Sequence, residues 1–147
     1  MKRILAAVDG SEASMRAVEF AADLATRFQA EFLLICVVEH GLPPDWALAE
    51  YVRPDQIGTD MGQFAVSFAR DALENARTQA VARGIDPVRS EIRTGDPSEE
   101  ILKFQGETGA DAIVVGSRGR GRLAGMLLGS VSQKIANLAP CMVAIAR

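Results

Sequence analysis

The sequence predicts an α/β fold, a parallel sheet wound on both faces by helices, and three features predict it. Short all-apolar runs at Ile4–Val8, Phe32–Val38, Ala112–Val115 and Cys141–Ala146 have the length and aliphatic content of strands buried on both sides. The stretches between them carry apolar residues at helical spacing, bounded by capping residues and glycines. The two kinds alternate, so successive strands join by right-handed helical crossovers and lie parallel. With 147 residues, 48% hydrophobic but only 5% aromatic, the chain is sized for a single domain with an aliphatic core.

Taken in order, Asp9-Gly10 ends the first strand, and Ser11 or Ser14 can cap the helix that follows, with Glu12 near its positive end. Val18, Ala21, Ala25 and Phe28 mark the buried face of that helix, out to about Phe28. Phe32–Val38 reads as a central strand. Residues 39–61 break the regularity, with Gly41, Pro43, Pro44, Pro54 and Gly58 among Trp46, Leu48 and Tyr51. They form a long connection with one short helical turn expected at Trp46–Tyr51. Helical spacing resumes from Gln63 to about Arg83 through Phe64, Phe68, Ala72, Ala76 and Ala80, and Gly84 is placed to end it.

Val88–Thr94 alternates Val88, Ser90, Ile92 and Thr94 against Arg89, Glu91 and Arg93, the pattern of a charged edge strand. Asp96, Pro97 and Glu99 then supply a cap, a first-turn proline and a capping-box acid for a helix ending near Gly109. Ala112–Val115 is the fourth strand. A helix from about Ser130 to Leu138 carries Val131, Ile135 and Leu138 on one face, and Cys141–Ala146 closes the chain as a fifth strand.

The net charge of −3 argues against a nucleic-acid binder. The charge is unevenly spread: all 19 acidic residues stand at or before Asp111, and the last 36 residues hold Arg118, Arg120, Arg122, Lys134 and Arg147 with no acid. Cys36 and Cys141 sit in apolar runs without a CxxC pattern, which reads as two buried, reduced thiols. Ile4–Val8 is too short for a signal-peptide core and no stretch approaches membrane-spanning length, so the expectation is a cytoplasmic protein that is not embedded in a membrane.

In an open α/β sheet, ligands bind beyond the carboxyl ends of the strands, where the strand order reverses. Asp9-Gly10-Ser11 leaves the first strand, and GSRGRGRLAGMLLGS (residues 116–130) leaves the fourth, with five glycines and three arginines. Glycines let backbone N–H groups curl around an anion, and the helix opening at Ser130 adds donors without internal partners. A phosphate suits all three features, although Ser130 alone reads equally as a helix cap and Asp9 as a cap for the first helix. No GxxxxGK[ST] motif is present. Gly119 to Ala124 satisfies GxGxxA, but the acid expected about 20 residues later cannot exist after Asp111, which argues against a dinucleotide site. His40 is the single histidine, which excludes a two-histidine metal site.

Gly116-x2-Gly119-x9-Gly129-Ser130, with VDGSEAS after the first strand, LLGSVSQKI after the loop and APC before the last strand, resembles the universal stress protein family over essentially the whole chain. The resemblance implies an open, doubly wound, five-stranded parallel sheet in the order 3-2-1-4-5, of the adenine nucleotide alpha hydrolase-like type. It also implies binding of ATP, or ADP or AMP, with Mg²⁺ held through the phosphates. Carried over position by position, Asp9 would meet the ribose or a metal-bridged phosphate, with Val8, Gly10 and Ser11 beside it. The backbone near Val37 would hydrogen-bond adenine, although the family often has His-Val where this chain has Cys36-Val37. Gly116, Ser117 and Gly119 would line the ribose and phosphates. Gly129, Ser130, Val131 and Ser132 would bind phosphate, with Arg118 and Arg120 adding positive charge.

Three functions fit: a nucleotide-binding stress or regulatory protein, a slow ATPase or autophosphorylating protein using Ser130 or Ser132, and a regulatory partner of a membrane transporter. No acid follows Asp111 to serve as a base near the phosphates, which favours binding over efficient turnover. The connection 39–61 reads as a packed insertion, a flap over the nucleotide or a contact for a protein partner. The family implies a homodimer, and the apolar strand Cys141–Ala146 would otherwise be a bare edge.

Overall fold

The structure, a computed structural model, describes residues 1–39, 61–119 and 128–147. Among these residues nine elements follow in order: β1 (Arg3–Val8), α1 (Glu12–Phe28), β2 (Glu31–Val38), α2 (Met61–Ala82), β3 (Val88–Thr94), α3 (Pro97–Thr108), β4 (Ala112–Gly116), α4 (Ser130–Leu138) and β5 (Met142–Ala146). The strands form one parallel sheet in the order β3-β2-β1-β4-β5. The turn expected at Trp46–Tyr51 lies outside the described residues.

The continuous apolar runs of β1 and β2 follow from coverage of both faces. Ile4, Ala6 and Val8 join Phe32, Leu34 and Cys36 in a core closed by α1 and α2. Leu5, Leu33 and Ile35 point the other way, against Ile101 and Phe104 of α3 and Ile135 of α4. Alternate residues of one strand therefore feed two cores, and neither set can be polar. Small residues let the helices approach closely, with Ala17, Ala21 and Ala22 of α1 and Ala69, Ala76 and Ala80 of α2 fully buried.

Local chemistry sets the helix ends. Ser11, not Ser14, caps α1, its hydroxyl accepting the Ser14 N–H at 3.2 Å, and Gln29 ends the helix in the left-handed region at φ 51°. Asp96 caps α3 through the Glu99 N–H at 3.0 Å, Pro97 opens it, and Gly109 at φ 64° closes it. β3 is an edge strand, and its charges are not merely solvated. The Arg93 side chain is only 13% exposed, pairs with Glu91 at 2.8 Å and with Glu107, and lies 4.8 Å over the Phe104 ring. These carboxylates hold its guanidinium proton even more firmly than usual, with the Glu107 bond the largest cause.

Three expectations about burial are corrected. Phe28 is 51% exposed and Leu138 66% exposed, because each is the last residue of its helix and lies beyond the last buried turn. Cys141 is only half-buried and precedes β5, which starts at Met142, whereas Cys36 is buried as expected. Leu34→Ala should therefore cost about 2–5 kcal/mol in urea unfolding, while Leu138→Ala should change stability by less than about 0.5 kcal/mol.

The Asp111 carboxylate ties the start of β4 to that of β1 by accepting the Lys2 N–H at 2.5 Å and the Arg3 N–H at 3.0 Å. These two bonds, Lys2 first, hold its carboxyl below the ordinary value of 3.8, so its contribution to stability is complete above that pH and is lost as the pH falls through the lower folded-state value. Asp111→Asn should leave a flatter acid limb below about pH 4 in pH-dependent unfolding. An acid limb identical to that of the unsubstituted protein would show that this carboxylate contributes nothing.

Candidate functional site

The sheet opens where its order reverses. β1 pairs with β4 only from Ile4↔Ala112 to Ala6↔Val114, after which β4 continues beside β5 to Gly116↔Ala146. On the other side, β2 outruns β1, whose last partner is Cys36, and continues beside β3 to Val38↔Thr94. β1 thus stops short of β2 and is unpaired from β4 beyond Ala6, which leaves a crevice above Val8. Such a crevice at a reversal point is where open α/β sheets take ligands.

One wall is built by the turn after β1. Gly10 takes φ 74°, a conformation glycine adopts at little cost, and bends the chain into α1. Asp9 Oδ1 accepts the Ser11 N–H at 2.9 Å and the Ser11 hydroxyl at 2.6 Å. The Ser11 oxygen in turn receives the Ser14 N–H, and the Ser14 hydroxyl donates to the Ser11 carbonyl at 2.8 Å while accepting the Asp9 N–H at 3.4 Å. Asp9 therefore does not cap α1; it orients the residue that does. Its second oxygen, Oδ2, has no donor among the described residues and faces Gly119, where an added Cβ would lie 2.8 Å away.

The opposite wall is a clasp. The Ser117 N–H donates to the Ala146 carbonyl at 2.6 Å, and the Ser117 carbonyl accepts the Gly129 N–H at 2.7 Å and the Ser132 hydroxyl at 3.2 Å. The entry and exit of the glycine-rich loop are thereby pinned together. Ser117 and Ser132 are buried, and the Ser132 proton is shared with the Gly129 carbonyl at 2.9 Å. The Ser132 hydroxyl is thus turned into the protein, leaving its backbone N–H as the group this residue presents. Gly116 is required by the fold, since a Cβ there would lie 2.7 Å from the Ala13 carbonyl carbon and 2.8 Å from the Ser14 nitrogen.

Gly129, not Ser130, is the N-cap of α4, and among the described residues no side chain caps the helix's first N–H groups. The first-turn donors of Ser130, Val131 and Ser132 are left for a ligand or solvent. Ser130, Arg118 and Gly119 are exposed, and Val37 is half-buried at the end of β2 where β1 has stopped. Arg120 and residues 40–60 of the long connection lie outside the described residues. Among the described residues, no three His, Cys, Asp or Glu side chains group as a metal site. A cation here would need most of its oxygens from its ligand.

The sequence reading offered Ser14 only as an alternative cap and missed its bonds within the turn, and it missed the pair Lys134–Asp96, whose charged atoms meet at 3.6 Å between α4 and the cap of α3. A second serine three residues after Ser11 signals the first. The second joins residues 38 positions apart and has no local signal.

The universal stress protein family model matches residues 1–147. The chain is 34% identical over 146 residues to the universal stress protein YxiE of Bacillus subtilis, covering 99% of this chain and 98% of that protein. It superimposes on the universal stress protein UspA from Lactobacillus plantarum with a TM-score of 0.80 at 24% identity, over 99% and 97% of the two chains. A universal stress protein solved in complex with cAMP matches with a TM-score of 0.73 at 26% identity, over 99% and 97%. No helix among the described residues is long and apolar enough to cross a membrane. The matched family model, the relatives and the sheet order together make this chain a member of the universal stress protein family.

Proposed function

We propose that this protein binds an adenine nucleotide, ATP by preference, in the crevice between β1 and β4, and works as a nucleotide-dependent regulator rather than an efficient catalyst. The observation that carries the reading is the clasp at Ser117 and Gly129, which presents the uncapped N-terminus of α4 across the crevice from Asp9. That a similar protein was solved with cAMP supports it. In this reading the first-turn N–H groups of α4, with Gly119 and Arg118, hold the phosphates. Asp9 Oδ2 meets the ribose, or a Mg²⁺ whose remaining ligands are phosphate oxygens and water. The backbone at Val37 takes adenine, and Arg120 adds charge from the loop.

The chemistry favours retention over turnover. Asp9 is the carboxylate at hand to activate a water, and one of its oxygens is already engaged by Ser11. If a hydroxyl accepts phosphate, the exposed Ser130 is the candidate, because Ser132 is 3% exposed and bonded inward. We read residues 1–147 as one domain that acts in the cytoplasm as a homodimer joined along β5, whose only strand partner among the described residues is β4. The connection 39–61 is read as a possible contact for a protein partner.

Isothermal titration with ATP–Mg²⁺ and AMP, alongside native mass spectrometry of freshly purified protein, tests the site. Gly119→Val should weaken nucleotide binding by about tenfold or more, since the new side chain meets the Asp9 carboxylate, and should lower the melting temperature less than Gly116→Ala does, because a side-chain end rather than backbone must give way. Gly129→Asn should also weaken binding, because its side chain would cap α4 in the ligand's place. Gly116→Ala should instead destabilise the fold by about 1–3 kcal/mol, since its Cβ meets backbone. Absence of binding to the unsubstituted protein, by both ATP and AMP, would falsify the reading.

The binding-only role is tested separately by steady-state phosphate release. A rate below about one per second is expected, under the range of ordinary enzymes, and a faster one would make the protein an ATPase.

A further inference from the structure

Among the described residues of the loop and α4, the nucleotide reading leaves the cation Lys134 without a task. Lys134 stands on α4 one turn after Ser130, and residues four apart on a helix share a face, their side chains leaning towards the N-terminus. One turn of helix is a span that the lysine stem can cover. The Lys134 ammonium sits 3.6 Å from Asp96 Oδ2, and 56% of the side chain is exposed. A tight charge-assisted bond is shorter, about 2.7–2.9 Å, and an exposed pair of this kind is weak and readily exchanged.

Asp96 does not depend on Lys134 for its position. Its Oδ1 accepts the Ser98 hydroxyl and the Glu99 N–H, which also lower its pKa more than the lysine does. Losing Lys134 would leave the cap of α3 intact. α4 and the loop before it carry no acidic residue of their own, for none occurs in the sequence after Asp111. A monophosphate at the head of α4 can be satisfied by first-turn N–H groups. The added charge of a triphosphate calls for further cations, and Lys134 is the one α4 itself carries.

We propose that Lys134 is a distal-phosphate sensor: it rests on Asp96 when the site is empty and turns to the terminal phosphates of a bound nucleoside triphosphate, so that the protein prefers triphosphate to monophosphate. The inference rests on the nucleotide reading above. Calorimetric titration of ATP and AMP into the unsubstituted protein, Lys134→Met and Asp96→Asn tests it, with melting curves to verify folding. Lys134→Met should weaken ATP about tenfold and AMP less than about twofold. Asp96→Asn keeps a capping side chain but releases the lysine, and should strengthen ATP binding a few-fold without changing AMP.

An ATP-to-AMP preference that survives Lys134→Met would overturn the sensor while leaving the nucleotide site standing, as would an Asp96→Asn variant with unchanged ATP affinity. Absence of binding by the unsubstituted protein would overturn both.

Discussion

The peptide group of Ser117 is the point on which the candidate site depends. Its N–H holds the last residue of β5, and its carbonyl holds both the cap residue of α4 and the Ser132 hydroxyl. Because Ser117 is only 6% exposed, none of these bonds can be traded for water at low cost, and an unpaired member would carry the full penalty of a buried polar group. The two bonds to the Ser117 carbonyl close the loop between residues 117 and 129. The entropy of closure is therefore met by the fold rather than by a ligand. A ligand arriving at α4 finds donors already aimed.

The acid on the far wall is subject to the opposite constraint. A carboxylate beside an anion site is unfavourable unless something stands between the charges. Asp9 meets this by dividing its oxygens: one is committed to the Ser11 N–H and hydroxyl, and the other looks across at Gly119. The committed oxygen fixes the carboxylate against the first turn of α1. The other is a hard oxygen ligand or hydrogen-bond acceptor, of the kind a ribose hydroxyl or a phosphate-bound cation would meet.

Much of this was legible in the sequence because it is local or periodic. The runs of β1 and β2 are apolar at every position because alternate residues serve different cores, and the chain states this directly. Asp96-Pro97 and Gly109 mark α3 to within a residue, since caps are short-range chemistry. Sheet order was legible only through family resemblance. Phe28 and Leu138 continue the helical pattern past the last buried turn, which periodicity alone cannot sense. The inward turn of the Ser132 hydroxyl depends on a carbonyl 15 residues earlier, and the Lys134–Asp96 contact depends on how two helices lie side by side. Long-range placement of this kind leaves no periodic trace.

The glycines of the loop show how one spacing pattern can hold different physical demands. At 116 glycine is imposed by the backbone of α1, which leaves no room for a Cβ, and at 119 by the carboxylate of Asp9. Neither argument applies at 129. There φ is −75°, which any residue adopts, and an added Cβ would meet its nearest atoms at 3.5–3.7 Å, ordinary contact distances. What another residue would change is the helix end: Ser, Asn or Asp at an N-cap turns its own oxygen onto the first-turn N–H groups. Glycine forgoes that stabilisation and leaves the donors open. The fold does not need a glycine there; a ligand proposed to bind those donors would.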